Sequence, residues 1–301
     1  MKEKLYGLVE AQADRLLSMA DQIFDNPEYD GEEFFASGLL EDYLEENGFA
    51  VERGLKDWPT AFRATWKQGE GGPRIGLLCE YDALRNLGHG CGHHMQGPCI
   101  CGTAVALKNA GIDKPFELVV YGTPAEESLS AKVTMWENGC FRDIDVALMM
   151  HGSPTTTCDV KSMANYHVDV RFHGTSAHAA INPDLGRSAL DALLLTFQGV
   201  EFLREHVDSD VKMHYTVVNC GGTPANVVPA CAEASAYVRS YNRAYLNTVC
   251  QRFEKVLQGA AMMTETEVEI IRQKEVDNKI PVLSLNDLVM KQAREVGAPC
   301  I

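Results

Sequence analysis

The sequence predicts an α/β protein with two domains, the first built on a mostly parallel sheet and the second combining helices with an antiparallel sheet. Three apolar runs, IGLLC (75–79), ELVVY (117–121) and VALMM (146–150), are separated by helical segments near 98–110 and 129–139. Strands that are apolar throughout are typical of a parallel sheet covered on both faces, and strand–helix–strand order favours right-handed crossovers. Later strands alternate between apolar and polar residues, as half-exposed antiparallel strands do.

The bulk composition limits the classes of partner. The chain has 301 residues, is 46% apolar and carries a formal net charge of −15 from 27 basic and 42 acidic residues. This length fits one large domain or two ordinary ones, and no lysine–arginine cluster indicates nucleic acid or an anionic membrane as a partner. The first residues lack the apolar core of a signal peptide, and no apolar run reaches the ~18 residues of a membrane span. We therefore expect a cytoplasmic protein whose ten cysteines are reduced and mostly buried.

Two helices are predicted ahead of the first apolar strand. Apolar residues recur at helical spacing near the N-terminus, which predicts one long helix over 3–24. A second helix is predicted over 32–47, where an Asn-Gly pair ends it. The first domain is expected to cover residues 1–162.

The second domain is predicted from a change of pattern after residue 162. The segment YHVDVRFH places Tyr166, Val168, Val170 and Phe172 on one face and polar residues on the other. Residues 232–240 alternate in a similar way, and long helices are predicted over 186–206 and 243–262. We predict an α+β domain over 163–275, followed by a helix over 284–296 within the last segment, 276–301.

Ionisable residues follow each of the three apolar strands. The first strand leads into Glu80-Tyr81-Asp82, the second into Glu126-Glu127 and the third into His151. Because the carboxyl ends of parallel strands line one crevice, these side chains should share an edge of the sheet. The stretch GHGCGHHM (88–95) lies between the first strand and the next helix, on the same edge. This convergence predicts a site.

The residue types at this edge favour a divalent metal. Cys91 and His93 on a glycine-rich loop, with a glutamate and a histidine from neighbouring strands, offer the sulfur, nitrogen and oxygen donors that suit zinc or a related ion. Of the paired glutamates, one can bind metal while the other stays free as a base.

Three other interpretations fit parts of the pattern. A histidine-rich loop can be a plain surface feature, and a structural zinc site needs four closed ligands in paired spacing, which is absent. A Cys91 nucleophile with a histidine base leaves the two glutamates and His151 without a role. The nearby Cys99 and Cys101 are expected in the core.

Five motifs in order then resemble a known family. HGCGH, TPAEE, a strand-terminal HG, SAHAA with GRSALDA, and GGTPANVVPACAEASAYVRS resemble the M20 metallopeptidases, closest to the branch of amidohydrolases that cleave N-acyl amino acids. The resemblance covers essentially the whole chain. It implies a di-metal catalytic domain interrupted by a lid domain that also dimerises. It also implies hydrolysis of an amide bond in an N-acyl amino acid, an aminobenzoyl-glutamate-like compound or a small peptide.

The resemblance also implies roles for particular residues. The metal ligands carry over to Cys91, His93, Glu127 and His151, and the metals would be two zinc, manganese or cobalt ions. Glu126 would be the general base, and His178 of the lid would reach across the dimer to stabilise the oxyanion. The substrate contacts would be Asn226 and Arg239, and Asp82 would orient a ligand. Arg239 is equally well read as an exposed strand residue.

The same resemblance implies an assembly. We expect a homodimer formed through the lid, with strand 166–172 and helix 186–206 supplying a sheet edge and an apolar stripe. A heteromer with a paralogous subunit is the variant that the related proteins suggest.

Two departures from the family pattern are present. His94 stands where an acid is usual, and Gln96 replaces a histidine. The family's last metal ligand, a histidine after the 284–296 helix, would lie beyond Ile301, so we expect a C-terminally shortened chain with one metal short of a ligand and little turnover. A catalytically silent relative that binds metal or peptides is the alternative function.

Overall fold

The structure is a computed structural model that describes residues 1–158, 161–273 and 275–300. The chain divides into two compact units, Met1–Pro154 and Thr155–Ile301. The domain limits expected from the sequence, after 162 and after 275, stay predictions.

Six helices belong to the first unit. They are α1 (Lys2–Glu10), α2 (Ala13–Asp25), α3 (Phe34–Glu46), α4 (His93–Asn109), α5 (Glu126–Leu129) and α6 (Ala131–Glu137). The prediction of one helix over 3–24 is wrong, because the helix breaks at Ala11 and Gln12. The Gln12 amide donates to the Leu8 carbonyl at 2.6 Å and accepts from the Tyr43 hydroxyl. The side chain thus ends the first helix, and the amphipathic pattern continues across the break.

The first unit contains a five-stranded mixed sheet. Its strands are β1 (Ala50–Leu55), β2 (Trp58–Gln68), β3 (Arg74–Cys79), β4 (Phe116–Gly122) and β5 (Val146–Met149), in the order β1-β2-β4-β3-β5. β3 pairs in parallel with both β4 and β5, as the apolar runs predicted. β2 pairs antiparallel with β1 and β4. The α/β class is confirmed, with the β1–β2 hairpin as an addition that the sequence patterns did not predict.

The sheet is covered unevenly. Leu118, Val119, Val120 and Tyr121 of β4 are fully buried, as a central strand should be. β5, however, pairs only with β3 among the described strands, and about half of the Met149 and Met150 surface is exposed. The expectation that VALMM is buried on both faces is therefore wrong, because this strand lies at the edge of the sheet.

The second unit is an antiparallel sheet with two helices, α7 (Ala189–Arg204) and α8 (Arg243–Thr264), packed on one face. Its strands are β6 (Ala164–His173), β7 (Lys212–Asn219), β8 (Cys231–Ser240) and β9 (Glu267–Arg272), in the order β7-β8-β6-β9. A further helix is α9 (Leu283–Glu295), and a short 3₁₀ turn covers Pro183–Leu185. The four apolar residues of YHVDVRFH are at most 2% exposed and pack with α7 and α8. The predicted alternation is confirmed.

One detail of the predicted dimer surface is wrong. β6, which contains the segment 166–172, pairs with β8 on one side and β9 on the other, so it offers no free edge. In the described part of the chain the edges of this sheet are β7 and β9.

The cysteines are free thiols, but most are not buried. Cys79, Cys101 and Cys250 are buried, and Cys101 lies in the core as predicted. The prediction that Cys99 also lies in the core is wrong, because this residue is on the outer side of α4 and is exposed. No helix in the described residues is both long and apolar enough to cross a membrane. The cytoplasmic location stays a prediction.

Candidate metal centre

The carboxyl ends of β3, β4 and β5 bring their ionisable residues together within the first unit. The end of β4 is tied to the end of β3, because Thr123 donates from both its backbone nitrogen and its hydroxyl to the Cys79 carbonyl at 2.9 Å. Atoms of Cys91, His93 and His151 lie within 4.8 Å of one another, and so do atoms of His93, Glu126 and Glu127. His93 is common to both groups.

The loop before α4 directs Cys91 and His93 to the same point. Gly92, between them, caps the N-terminus of α4 with φ +84° and ψ 14°. This left-handed conformation costs glycine little and costs other residues about 1 kcal/mol or more. The chain reverses at Gly92, so the side chains on either side of it converge.

The turn after β4 aims the paired glutamates. Ala125 (φ +50°) and Ser130 (φ +49°) are left-handed residues at the two ends of α5, which carries Glu126 and Glu127. Ala125 is fully buried. Left-handed conformations of non-glycine residues are strained and persist only where the surroundings fix them, often at functional sites.

The closest contacts in the cluster join donor atoms of the kind that bind metal. Nε2 of His93 lies 3.3 Å from Nε2 of His151, and Sγ of Cys91 lies 3.4 Å from the same His151 atom. Oε1 of Glu127 is 4.0 Å from Nε2 of His93. These are the four residues that the family resemblance implies as ligands.

Two hydrogen bonds decide the orientation of the imidazoles. Nδ1 of His93 lies 3.0 Å from Oδ1 of Asp82, and Nδ1 of His151 lies 2.7 Å from the Gly152 carbonyl oxygen. Since these acceptors each take the Nδ1 hydrogen, a neutral ring keeps its lone pair on Nε2. The two Nε2 lone pairs therefore face each other.

Such an arrangement fits a cation between the rings. Two nitrogens bound at about 2.1 Å to one tetrahedral ion are about 3.4 Å apart, and a sulfur at about 2.3 Å is about 3.6 Å from such a nitrogen. The observed separations are 3.3 Å for His93–His151 and 3.4 Å for Cys91–His151. A donor set of thiol, imidazole and carboxylate suits zinc or a similar divalent ion.

The local electrostatics are dominated by buried negative charge. Burial, together with the carboxylates of Glu127, Glu126 and Glu80, raises the pKa of the Cys91 thiol to about 12. Burial and the neighbouring Glu80 also raise the pKa of Glu126. Burial lowers the pKa of His93, but Asp82 and Glu80 outweigh it, and the net pKa is raised. The pKa values of Cys91, Glu126 and His93 are thus all raised, as expected where negative charges lack positive partners.

Three residues at the site carry no role predicted from the sequence. Gln96 accepts from the backbone nitrogen of Glu80 and donates to the Met150 carbonyl, so it ties the ends of β3 and β5. Lys132 of α6 forms an ion pair with Glu80. The position of Glu80 directly after a strand was a usable signal, whereas nothing local marks Lys132.

The other histidines of GHGCGHHM lie beside the cluster. The His89 ring is buried, with its centroid 6.3 Å from that of Phe24 and 5.3 Å from that of His94. Burial and the neighbouring His94 lower the pKa of His89 to about 4. Within the described residues, neither histidine joins a group of three metal-binding side chains. His89 and His94 instead pack against Phe24 and against each other.

The remaining predicted site residues belong to the second unit. His178 and Asn226 lie together, because the Ala179 nitrogen donates to the Asn226 carbonyl at 3.0 Å and His178 bridges Val227. Both side chains are exposed. Arg239 is on β8, on the sheet face opposite the helices, with its guanidinium 5.1 Å from the ring centroid of Tyr237.

Comparison with known proteins gives three kinds of likeness. Residues 159–262 match the family model described as a peptidase dimerisation domain. One of the subunits of p-aminobenzoyl-glutamate hydrolase from Escherichia coli K12 is 36% identical over 311 residues, which cover 97% of this chain and 64% of that protein. The Xaa-Arg dipeptidase of Mus musculus is 31% identical over 310 residues, covering 99% and 72%.

A solved structure shares the fold. A Bacillus subtilis protein described as a dinuclear metal binding peptidase from the M20 family aligns with a TM-score of 0.76 at 19% identity, over 97% of this chain and 82% of that one. The chain thus spans between 64% and 82% of the lengths of these proteins.

Proposed function

The chain belongs to the M20 family of peptidases, and we propose that it is a metal-dependent hydrolase of amide bonds. Membership confirms the resemblance drawn from the motifs. The observation that carries the proposal is the convergence of Cys91, His151 and Glu127 around Nε2 of His93 at the sheet edge. The relatives of this chain are named as a hydrolase subunit and a dipeptidase.

Cys91, His93, Glu127 and His151 would hold the metal, and Asp82 would orient two of them. A divalent cation bound there supplies Lewis-acid polarisation of the substrate carbonyl and lowers the pKa of a coordinated water. Asp82 accepts from His93 and from the backbone nitrogen of Glu127, at 3.0 Å in each case. Such support fixes the direction of the ligands. The metal content of the purified protein distinguishes zinc, manganese and cobalt.

Glu126 is proposed as the general base. It is part of the cluster, yet its neighbour Glu127 is the one whose backbone is held by Asp82. The carboxylate of Glu126 would accept a proton from the attacking water and pass it to the leaving amine. A carboxylate with a raised pKa is suited to this, because its proton affinity is closer to that of the group it serves.

The second unit is proposed to contribute substrate contacts. His178 would donate a hydrogen bond to the oxyanion, and Asn226, on the adjoining segment, would contact the substrate. Arg239 would bind a carboxylate, for which a guanidinium is well suited. The substrate class is an N-acyl amino acid, an aminobenzoyl-glutamate-like compound or a small peptide, in keeping with what the names of the relatives say of them.

The function is tested by separating metal binding from turnover. Purified protein should contain zinc, manganese or cobalt, and a Cys91→Ala, His93→Ala double variant should lose it. In a version extended to the length of the relatives, Glu126→Gln should keep the metal and lose at least ~100-fold in hydrolysis of p-aminobenzoyl-glutamate or Xaa-Arg dipeptides. Unchanged metal content in the double variant would refute the site. Metal binding by the extended version without turnover on any of these substrates would favour the catalytically silent alternative.

The thiol-hydrolase interpretation is less favoured. A cysteine nucleophile reacts as the thiolate and needs a lowered pKa, whereas that of Cys91 is raised to about 12. Inactivation by iodoacetamide that chelators do not reproduce would reverse this preference.

We further propose a dimer formed through the second unit. β7 is an edge strand, and α7 beside it exposes Leu194 (52%) and Phe202 (69%). The Phe197 ring of α7 stacks on Tyr215 of β7, so helix and strand form one surface. A second copy could extend the sheet and cover the apolar residues. Since the Escherichia coli relative is named as one subunit of a hydrolase, a paralogous partner is the alternative.

Light scattering tests the assembly. The chain should have the mass of a dimer at micromolar concentration, and Phe202→Glu should shift it toward monomer. Met263→Glu, on an equally exposed part of α8, is the matched control and should stay dimeric. A monomeric wild-type chain would contradict the homodimer and leave the paralogous partner to be tested by co-purification.

A further inference from the structure

Glu80 is a buried carboxylate that none of the proposed roles uses. It follows β3 directly and is 2% exposed. One oxygen, Oε1, accepts a hydrogen bond from Nζ of Lys132. The other, Oε2, is buried and accepts no hydrogen bond from any side chain or backbone group that the structure describes. A buried carboxylate satisfied on one side only is costly, because it has lost its water. Oε2 therefore needs a positive partner.

The position of Oε2 indicates which partner. It lies 3.3 Å from Nε2 of His93, the atom that faces the centre of the proposed metal site. This equals the 3.3 Å between the Nε2 atoms of His93 and His151. Both values are close to the separation of about 3.4 Å expected for two ligands of one tetrahedral ion. Oε2 of Glu80 and Nε2 of His93 are thus spaced like two ligands of one ion.

Glu80 is held in this position from two sides. Lys132 fixes the far oxygen of its carboxylate, and Gln96 accepts the hydrogen of its backbone nitrogen. Because Gln96 also bonds the Met150 carbonyl, the residue just before His151, the same amide sets the spacing between the two strand ends. A side chain held in advance in this way loses little freedom when it binds an ion.

We propose that Glu80 is a further ligand of the metal centre, bound through Oε2, with Lys132 as the counter-ion of Oε1. This rests on the metal centre of the proposed function and adds a fifth protein ligand to the four named there. The ammonium group of Lys132 explains why a carboxylate is tolerated at this depth before metal arrives. It also leaves a single oxygen free, which favours monodentate binding.

The test is zinc affinity, measured by competition with a chromophoric chelator on the whole chain. Glu80→Gln keeps the size of the side chain and removes its charge. Zinc affinity should fall at least ~10-fold, which is the smallest loss expected when a residue that only orients a ligand is removed. Glu41→Gln is the matched control, because Glu41 is a buried carboxylate of the same unit that pairs with Arg53 at 2.6 Å. The zinc affinity of the Glu41→Gln variant should equal the wild-type value.

A second variant separates ligand loss from damage to the fold. Glu80→Gln leaves Lys132 without its counter-ion, so the Glu80→Gln, Lys132→Met double variant should recover the melting temperature of the metal-free protein. It should not recover zinc affinity. In cobalt-loaded protein, both variants should also alter the visible absorption bands, which report the ligand set.

The outcomes are distinguishable. If Cys91→Ala, His93→Ala loses zinc while Glu80→Gln binds it as tightly as wild type, the Glu80 ligand is refuted and the metal centre stands. Recovery of zinc affinity in the double variant would reduce Glu80 to a counter-ion of Lys132. If the cysteine–histidine variant keeps its zinc, the metal centre itself fails.

Discussion

Oδ1 of Asp82 lies 3.0 Å from Nδ1 of His93, so a buried carboxylate fixes which ring nitrogen faces Cys91 and His151, two other side chains of the proposed metal centre. The other oxygen of the same group accepts the backbone hydrogen of Glu127 at 3.0 Å. An Asp82→Asn variant can satisfy only one of these two donors with its amide oxygen. We expect zinc affinity to fall ~10- to 100-fold. Asp113→Asn, at an exposed position, is the control, and equal affinity in both variants would contradict the orienting role.

A second prediction concerns the left-handed residue between two of the proposed ligands. Gly92→Ala places a Cβ at φ +84°, which costs about 1 kcal/mol or more and turns Cys91 away from His93. Zinc affinity should therefore fall although no ligand is altered. Gly7→Ala, inside α1 with open space around it, should leave both zinc affinity and melting temperature unchanged or slightly improved. A Gly92→Ala protein that binds zinc normally would show that the loop adapts.

A third prediction concerns the second unit. If His178 stabilises the oxyanion, His178→Ala in a version extended to the length of the relatives should lower kcat ~100-fold or more while the metal content stays the same. His206→Ala, another exposed histidine of that unit, serves as the control. Near-native kcat in His178→Ala would remove this residue from the mechanism.

The fourth prediction is a pH dependence of stability. Asp143 accepts from Arg63 at 2.6 Å and from Arg74 at 2.7 Å, which ties β2 and β3 to the segment before β5. Burial raises the pKa of Asp143, but the two guanidinium groups outweigh it and the net pKa is lowered. Because the folded-state pKa lies below the unfolded value of about 3.9, the stabilisation is present above that pH and is lost as the pH falls through the folded-state pKa.

Urea unfolding measures this effect. Asp143→Asn should lower the free energy of unfolding at pH 7 by up to about 1 kcal/mol, a value limited by solvent screening of a partly exposed group. The difference from wild type should shrink toward zero in strong acid. A difference that stays constant from pH 7 to acid would assign the effect to packing instead of charge.

The strand patterns and the convergence of the strand ends were readable from the sequence, because both follow from local periodicity and from the geometry of parallel sheets. The break at Gln12 was not, since it depends on a contact with Tyr43, 31 residues away. The edge position of β5 likewise depends on topology, which apolar content alone does not reveal. The pairing of Glu80 with Lys132 joins residues 52 apart, and no local pattern marks such a partner.

The turn that carries Glu126 and Glu127 has a consequence for local opening. Left-handed Ala125 and Ser130 bracket a helix of only four residues, so this segment stores backbone strain. Segments of this kind open at a lower free energy than the sheet behind them. A cation held by Glu127 would fasten the segment to β3 and β5. Amide hydrogen exchange at residues 126–130 should therefore slow as zinc occupancy rises, which makes this turn a reporter of metal loading at single-residue resolution.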